Sequence, residues 1–243
     1  MGGHPGERGR HGLLQQARRR AAGSRDLAAG RGGVDEARRL VSAPPKTVLE
    51  VSPEEEAAIR LAVATADVGT LGLGRAIARP TDAADLARFL ADPRVSDAIY
   101  DLPRPIDETN VRRWIVEGET QWRAGRRLLI VSREATGEIA GYSDITVWPE
   151  RSAAELAGAI SPSRQNEGQG GAGALHTFGW IFETLGVRLM CLTAATDNVR
   201  SARLIEAAGF VPMGTRDATR ADGTVRRSLY WEMTRDQWAE KWG

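Results

Sequence analysis

The 243 residues predict a single α+β domain, and three observations carry that prediction. Apolar residues switch irregularly between strand-like and helix-like spacing from residue 71 onward, in the order βααβββαβαββ. Every Phe, Tyr and Trp lies at or beyond Phe89, so the side chains that dominate a core belong to that stretch. Finally, a glycine-rich segment, Gln165-Asn166-Glu167-Gly168-Gln169-Gly170-Gly171, separates a strand pattern ending at Ile160 from an amphipathic helix running toward Leu185.

Residues 1–46 hold ten Lys/Arg against four Asp/Glu and no aromatic side chain. They read as a basic, solvated tail without a core of its own, a targeting segment and a weak polyanion contact being the other readings. Residues 47–70 add one helix. Ser52 is its N-cap, Pro53 its first residue and Glu54 to Glu56 lie on the positive end of its dipole; Gly69 is its expected stop. Its stripe of Ile59, Ala62, Val63 and Ala66 packs on the domain or on a second copy in a homodimer.

In the domain proper, residues 71–243, the first strand is expected over 71–78. Pro80-Thr81-Asp82 opens a helix with Leu86, Phe89 and Leu90 on one face. A second helix over 106–123 is capped near Asp107 and carries Val111, Trp114, Ile115 and Trp122. Residues 128–132 and 139–147 are strands around the turn Ala135-Thr136-Gly137. The fourth strand is 153–160, and the third helix is 170–185, stopped by Gly186. A fifth strand at 189–193, a fourth helix at 199–208 ended by Gly209, and a closing antiparallel pair at 210–215 and 226–233 complete the order.

A formal charge of +1 and a pI of about 8.0 give no reason to expect nucleic acid as a partner. The lone Cys191 lies in an apolar run and reads as a small buried hydrophobe. The three histidines and this cysteine are scattered, so no metal site is expected. No stretch approaches 18 unbroken apolar residues; a membrane span is not expected, and the default location is the cytoplasm. His176 reads as a packing or surface residue.

Glycines let a backbone approach an anion closely, and the first turn of the following helix offers free N–H groups, so the segment at 165–171 reads as a phosphate cradle. Gly168, Gly170 and Gly173 also fit G-x-G-x-x-G, but that fingerprint follows a strand directly and opens a larger nucleotide domain. Gln165, Gly168 and Gly170 instead fit Q/R-x-x-G-x-G/A. Upstream stands Ala154-Glu155-Leu156-Ala157-Gly158-Ala159-Ile160-Ser161-Pro162, and downstream Thr196-Asp197-Asn198-Val199-Arg200-Ser201 followed by Gly209-Phe210. Together, at these spacings, the three motifs resemble the GNAT N-acetyltransferase superfamily, and with Asp222-Gly223 they resemble its Rim-type branch of ribosomal-protein N-terminal acetyltransferases.

The resemblance implies the GNAT fold, a mixed and mostly antiparallel central sheet flanked by helices and splayed between strands 4 and 5. It implies acetyl-CoA as co-substrate and a primary amine, on a protein N-terminus or a small molecule, as acceptor. The strand edge at 156–161, including Ala159 and Ile160, would pair with the pantetheine arm. The pyrophosphate would meet Arg164, Gln165, Asn166, Glu167, Gly168, Gln169, Gly170 and Gly171. Asn198 would hold the pantetheine amide, and Ser201 would protonate the departing thiolate.

Glu155 is the expected base, because a carboxylate in an apolar strand needs a reason to be there. An ion pair with Arg151 or Arg164 is the structural alternative. Many other branches place a Tyr acid where this chain has Ile205, which leaves Ser201 or water as the acid and Tyr230 behind them. A non-catalytic acyl-CoA sensor is the rival function.

Overall fold

The computed structural model describes residues 1–2, 43–163, 169–219 and 224–243. The chain divides into Met1–Leu40 and Val41–Gly243, and the second unit carries the sheet and its helices. In chain order these are α1 (Pro53–Thr65), β1 (Arg75–Ile77), α2 (Ala83–Leu90), α3 (Pro93–Ser96), α4 (Glu108–Arg123), β2 (Arg127–Arg133) and β3 (Ile139–Trp148). There follow β4 (Ala153–Ile160), α5 (Gln169–Thr184), β5 (Leu189–Ala195), α6 (Val199–Ala208), β6 (Val211–Thr219), β7 (Val225–Thr234) and α7 (Arg235–Trp242).

The seven strands lie in the order β1-β2-β3-β4-β5-β7-β6. All neighbours are antiparallel except β4 and β5. That parallel pair is short: Ala153, Ala154 and Glu155 match Leu189, Met190 and Cys191, and there the ladder stops. Beyond it β4 stays with β3 as far as Ile160, whereas β5 stays with β7 as far as Ala195. The sheet therefore opens immediately after Glu155.

Both faces of the sheet are covered. Leu128, Ile130, Ile145, Met190, Leu192 and Trp231 bury one face against Phe178, Ile181 and Phe182 of α5, Leu185 just after it, Ile205 of α6, and Ile59 and Val63 of α1. On the other face Leu129, Val131 and Tyr142 meet Leu86 and Leu90 of α2 and Val111 and Ile115 of α4. Each such side chain contributes roughly 1.5–3 kcal/mol on burial, so these stripes fix which way the helices lie.

Three of the departures from the sequence pattern have a clear local cause. Helix α1 stops at Thr65, before Gly69, because Asp67 accepts a hydrogen bond from the Gly69 N–H at 2.9 Å and starts a 3₁₀ turn over Val68–Leu71. Strand β1 is shortened to Arg75–Ile77, since Leu71 closes that turn and Gly72 and Gly74 follow with φ of 133° and 74°. At Gly74 a Cβ would stand 2.2 Å from the Arg133 carbonyl oxygen, so only glycine lets the chain enter the sheet there.

The third is at the C-terminus, where the chain continues beyond the closing pair as helix α7. Thr234 and Gln237 form a capping box, Oγ1 accepting from the Gln237 N–H at 3.2 Å and Oε1 from the Thr234 N–H at 2.9 Å. Trp238 is buried against Phe178 and Phe182, with ring centroids 6.3 and 5.9 Å away.

Residues 43–50 cross the strand β7 side of the sheet as an extended strap. Arg216 donates to the carbonyls of Ala43 and Pro44, Lys46 Nζ donates to the Met213 carbonyl at 2.7 Å, and Arg188 donates to the Glu50 carbonyl. Leu49 packs on Trp148, Ala153, Leu189, Cys191 and Tyr230. The last four residues of the segment read as a solvated tail, 43–46, are thus held on the sheet.

Candidate active site

Strand periodicity assembles the site. Along β4 the side chains of Ala153, Glu155, Ala157 and Ala159 share one face, and Asp144 and Tyr142 of β3 stand opposite Ala157 and Ala159. On β5 the same face carries Cys191, opposite Glu155, and then Thr193. Glu155 is 9% exposed, and its Oε1 accepts a hydrogen bond from Thr193 Oγ1 at 3.0 Å. The carboxylate therefore stands at the mouth of the opening between β4 and β5.

Ion pairing with Arg151, one structural reading of Glu155, is not what the fold builds. Arg151 donates instead to the carbonyls of Pro45 and Thr47, at 3.1 Å each. Arg164 lies outside the described residues, as do Gln165, Asn166, Glu167, Gly168 and Asp222-Gly223. Gln169 and Gly170 are described only as the first residues of α5, with Gly171 after them.

Small residues after Glu155 have a packing cause. A Cβ on Gly158 would lie 2.4 Å from the Tyr142 carbonyl oxygen, and one on Gly141 across the ladder 2.7 Å from that of Ala159. The two glycines let β3 and β4 lie close; at Gly158 the crowding atom belongs to β3. Ala159 and Ile160 lie on the open part of β4, at the end from which the chain leaves toward α5.

Asn198 and Ser201 come together where β5 ends. Asn198, rather than Asp197, is the N-cap of α6, with Oδ1 accepting from the Ser201 backbone N–H at 3.1 Å. That bond leaves the Nδ2 donors of the amide out of the cap, and Ser201 is half-buried beside it. Both residues therefore sit at the carboxyl end of one strand of the parallel pair, and the start of α5 follows the carboxyl end of the other. Ligands of open α/β sheets collect at such a place, where adjacent connections diverge.

Packing bears on Tyr230 as an acid and on the position where other branches carry a Tyr. Ile205 is 5% exposed in the core under α6. Tyr230 is fully buried, and its hydroxyl donates to Glu232, which also accepts from the Lys46 N–H at 2.7 Å, the Thr47 N–H at 3.2 Å and the Thr47 hydroxyl. Burial first, then neighbouring Cys191 and Glu232, push the Tyr230 phenol far up, so its proton is not available near neutral pH. Burial also pushes the Cys191 thiol well up, with the Glu155 charge adding to it, and an inert thiol results.

Sequence reasoning missed a polar cluster beside the site. Arg127 and Asp144, 8% and 6% exposed, form a bidentate pair at 2.7 and 2.6 Å, and the guanidinium lies over the Trp114 ring at 5.3 Å. Near them Asp101, in the loop between α3 and α4, has its carboxyl pushed up to about 6 by burial and then by the Asp144 charge. The β6–β7 hairpin reaches the same loop: Arg226 donates to the Ala98 carbonyl at 3.1 Å and Tyr100 to that of Thr224. Single polar residues inside apolar strand patterns, Arg127, Asp144 and Thr193, were the available signal.

Among the described residues no group of His, Cys, Asp and Glu is placed to hold a metal ion, and no helix is long and apolar enough to cross a membrane. Comparison with known proteins adds the following. No curated protein sequence matches the chain. Among solved structures it is similar to the ribosomal-protein-S5-alanine acetyltransferase of Vibrio fischeri, at 15% identity over 68% of this chain and 93% of that one, with a TM-score of 0.57. It is also similar to Mycobacterium smegmatis RimJ in complex with CoA-disulfide, at 21% identity over 67% and 82% of the two chains, with a TM-score of 0.54. These likenesses are of fold. The model of the acetyltransferase (GNAT) domain matches residues 73–211, more than half of the sequence and the whole stretch from β1 to the start of β6, and the chain therefore belongs to the GNAT acetyltransferase family.

Proposed function

We propose that the protein transfers an acetyl group from acetyl-CoA to a primary amine, on a protein N-terminus or a small molecule, by direct attack of the amine on the thioester. The observation that carries this reading is Glu155: a mostly buried carboxylate held at the point where β4 and β5 part. Acetyl-CoA supplies the activated acyl group. Its pantetheine arm would lie along the unpaired stretch of β4, including Ala159 and Ile160, with the Asn198 amide as a side-chain partner. Its pyrophosphate would be held at 164–171, by the N–H groups that open α5 with Arg164 or Gln165 beside them.

In the reaction the amine nitrogen forms a bond to the thioester carbonyl carbon as the C–S bond breaks. Glu155 takes the proton the amine must lose, directly or through one water. Ser201 or water gives a proton to the departing thiolate, because Ile205 has none to give and the proton of Tyr230 is held by Glu232. A Rim-like acceptor, the N-terminal amine of a ribosomal protein, is favoured by the Asn198, Ser201 and Gly209-Phe210 pattern and by the fold-level neighbours named above.

The test is a thermal shift with acetyl-CoA, followed by thiol release in the presence of small amines and N-terminal peptides. Stabilisation by acetyl-CoA and release with at least one amine is the expected result. Stabilisation without release from any amine would favour an acyl-CoA sensor. Substituting Gly170→Val, which crowds the proposed cradle, should weaken acetyl-CoA binding while the melting temperature holds.

A further inference from the structure

Thr193 reaches across the gap between the two diverging strands and meets the proposed base. Its residue pairing shows why it is placed to do so. Cys191 matches both Glu155 on β4 and Glu232 on β7, but two residues further along β5 only the β7 partner remains, Tyr230 opposite Thr193. Thr193 thus occupies the first position on the Glu155 face at which β5 has lost β4. It is exposed where its neighbours Leu192 and Ala194 are buried, so it opens into the gap and not into either core.

The bond itself has a defined direction. An ionised carboxylate can only accept, so the 3.0 Å contact is the threonine hydroxyl donating to Oε1. A β-branched side chain on a strand has few χ1 choices, and the buried phenol of Tyr230 lies opposite it across the β5–β7 ladder. Thr193 is therefore a stiff donor at a fixed point, and Glu155 is a longer side chain at the end of an interrupted ladder.

We infer that Thr193 is a positioning residue for the transfer reaction, its hydroxyl holding the Glu155 carboxylate in one orientation at the mouth of the gap. The inference rests on the reading of Glu155 as the base. It assigns Thr193 two effects: restraining the carboxylate rotamer through the bond to Oε1, and favouring the ionised form that can accept a proton. The other titratable and charged groups on this face include Arg127 on β2, paired with Asp144 on β3, then Tyr142 on β3, Cys191 on β5, Arg226, Tyr230 and Glu232 on β7, Lys46 of the strap, and Arg216 on β6, whose guanidinium lies 4.2 Å from the Tyr230 ring centroid. Asp144, Tyr230 and Glu232 are held by their own partners, so a change at Thr193 is read chiefly by Glu155.

The experiment measures kcat/KM against pH for wild type, Thr193→Val, Thr193→Ser, Glu155→Gln and the Thr193→Val/Glu155→Gln double variant, with acetyl-CoA affinity by calorimetry. Valine keeps the shape and removes the donor. The expected result at neutral pH is a loss of about tenfold in kcat/KM, the scale of one hydrogen bond to a charged group. The acidic limb of the profile should move up by about one pH unit, because a hydrogen bond to the charged form is gone. Acetyl-CoA affinity should stay unchanged, serine should restore both rate and limb, and valine should cost nothing further once Glu155→Gln is in place.

A valine variant with the wild-type rate and limb, beside a Glu155→Gln variant that is strongly impaired, would overturn the role of Thr193 and leave the base in place. A Glu155→Gln variant as active as wild type would overturn both. If valine lowers the rate equally at every pH and in the Glu155→Gln background too, the effect is on the strand and the inference is likewise overturned.

Discussion

Glu155 and Glu232 flank the same residue. Both stand opposite Cys191, one on β4 and one on β7, both are nearly buried, and both have a threonine and a backbone strand beside them. Their surroundings make them opposites. Glu232 sits where the sheet is continuous and the strap crosses it, and its two oxygens accept from Lys46, Thr47 and Tyr230. Glu155 sits where the sheet comes apart and meets the exposed hydroxyl of Thr193. The difference bears on the proposed base: beside a continuous ladder the carboxylate is engaged by structural donors, and where the ladder stops it stands at the edge of the gap in which the proposed reaction would take place.

The largest expected effect separates the two directly. Glu155→Gln should lower kcat by roughly 10²-fold or more while leaving stability alone, since glutamine keeps the shape and still accepts from Thr193 but cannot take a proton. Equal losses of rate and of melting temperature would erase the distinction.

Second in size is the strap. Removing residues 2–42 should leave the melting temperature unchanged, whereas removing 2–51 strips Glu232 of the Lys46 and Thr47 donors and uncovers the Leu49 site, at a cost of about 3 kcal/mol. Identical melting temperatures for the two truncations would show that the strap contributes nothing.

Glu232→Gln should cost about 2 kcal/mol, because the new amide group turns donors toward the donors of Lys46 and Thr47. Burial pushes the Glu232 carboxyl up, yet hydrogen bonds from Thr47, Tyr230 and the Lys46 and Thr47 N–H groups outweigh it and hold it below the ordinary value. A carboxyl lowered in the folded state contributes stability that is present above its unfolded pKa and lost as pH falls through the folded one, so the cost of Glu232→Gln should fade in acid. Urea denaturation of the two proteins across that range checks it.

Asp101 gives the smallest effect and the opposite sign. Its folded pKa of about 6 lies above the ordinary value of 3.8, so folding binds a proton between those values and stability declines as pH rises through that window. Asp101→Asn should stabilise by about 1 kcal/mol at pH 7.5, discounted for partial exposure, and by nothing at pH 4. Chemical denaturation at the two values measures it.

Much of this was legible in the sequence because it is periodic or punctuated. The βααβββαβαββ order follows from spacing, the α6 stop from Gly209 (φ 101°), and the start of α1 from Ser52, whose hydroxyl accepts from the Glu55 N–H. Glu155 stood out as a charge in an apolar strand. Pairing is what a single sequence hides. That Cys191 lies between two glutamates, that Lys46 reaches Glu232 across 186 positions, and that Thr193 meets Glu155 are long-range facts with no local signature. The C-terminal helix did have a local signature, since Thr234 and Gln237 spell a capping box.

The central claim is that Glu155 removes the acceptor proton, and the most direct measurement is the ratio of wild-type to Glu155→Gln kcat from pH 6.5 to 9.5 with one saturating amine. The account predicts a ratio of roughly 10² or more at the acidic end that shrinks steadily as pH rises, because the amine is then increasingly neutral without help, with acetyl-CoA affinity equal in the two proteins throughout. A variant that melts earlier yet turns over at the wild-type rate across the range would contradict it, and would make Glu155 a structural carboxylate like Glu232.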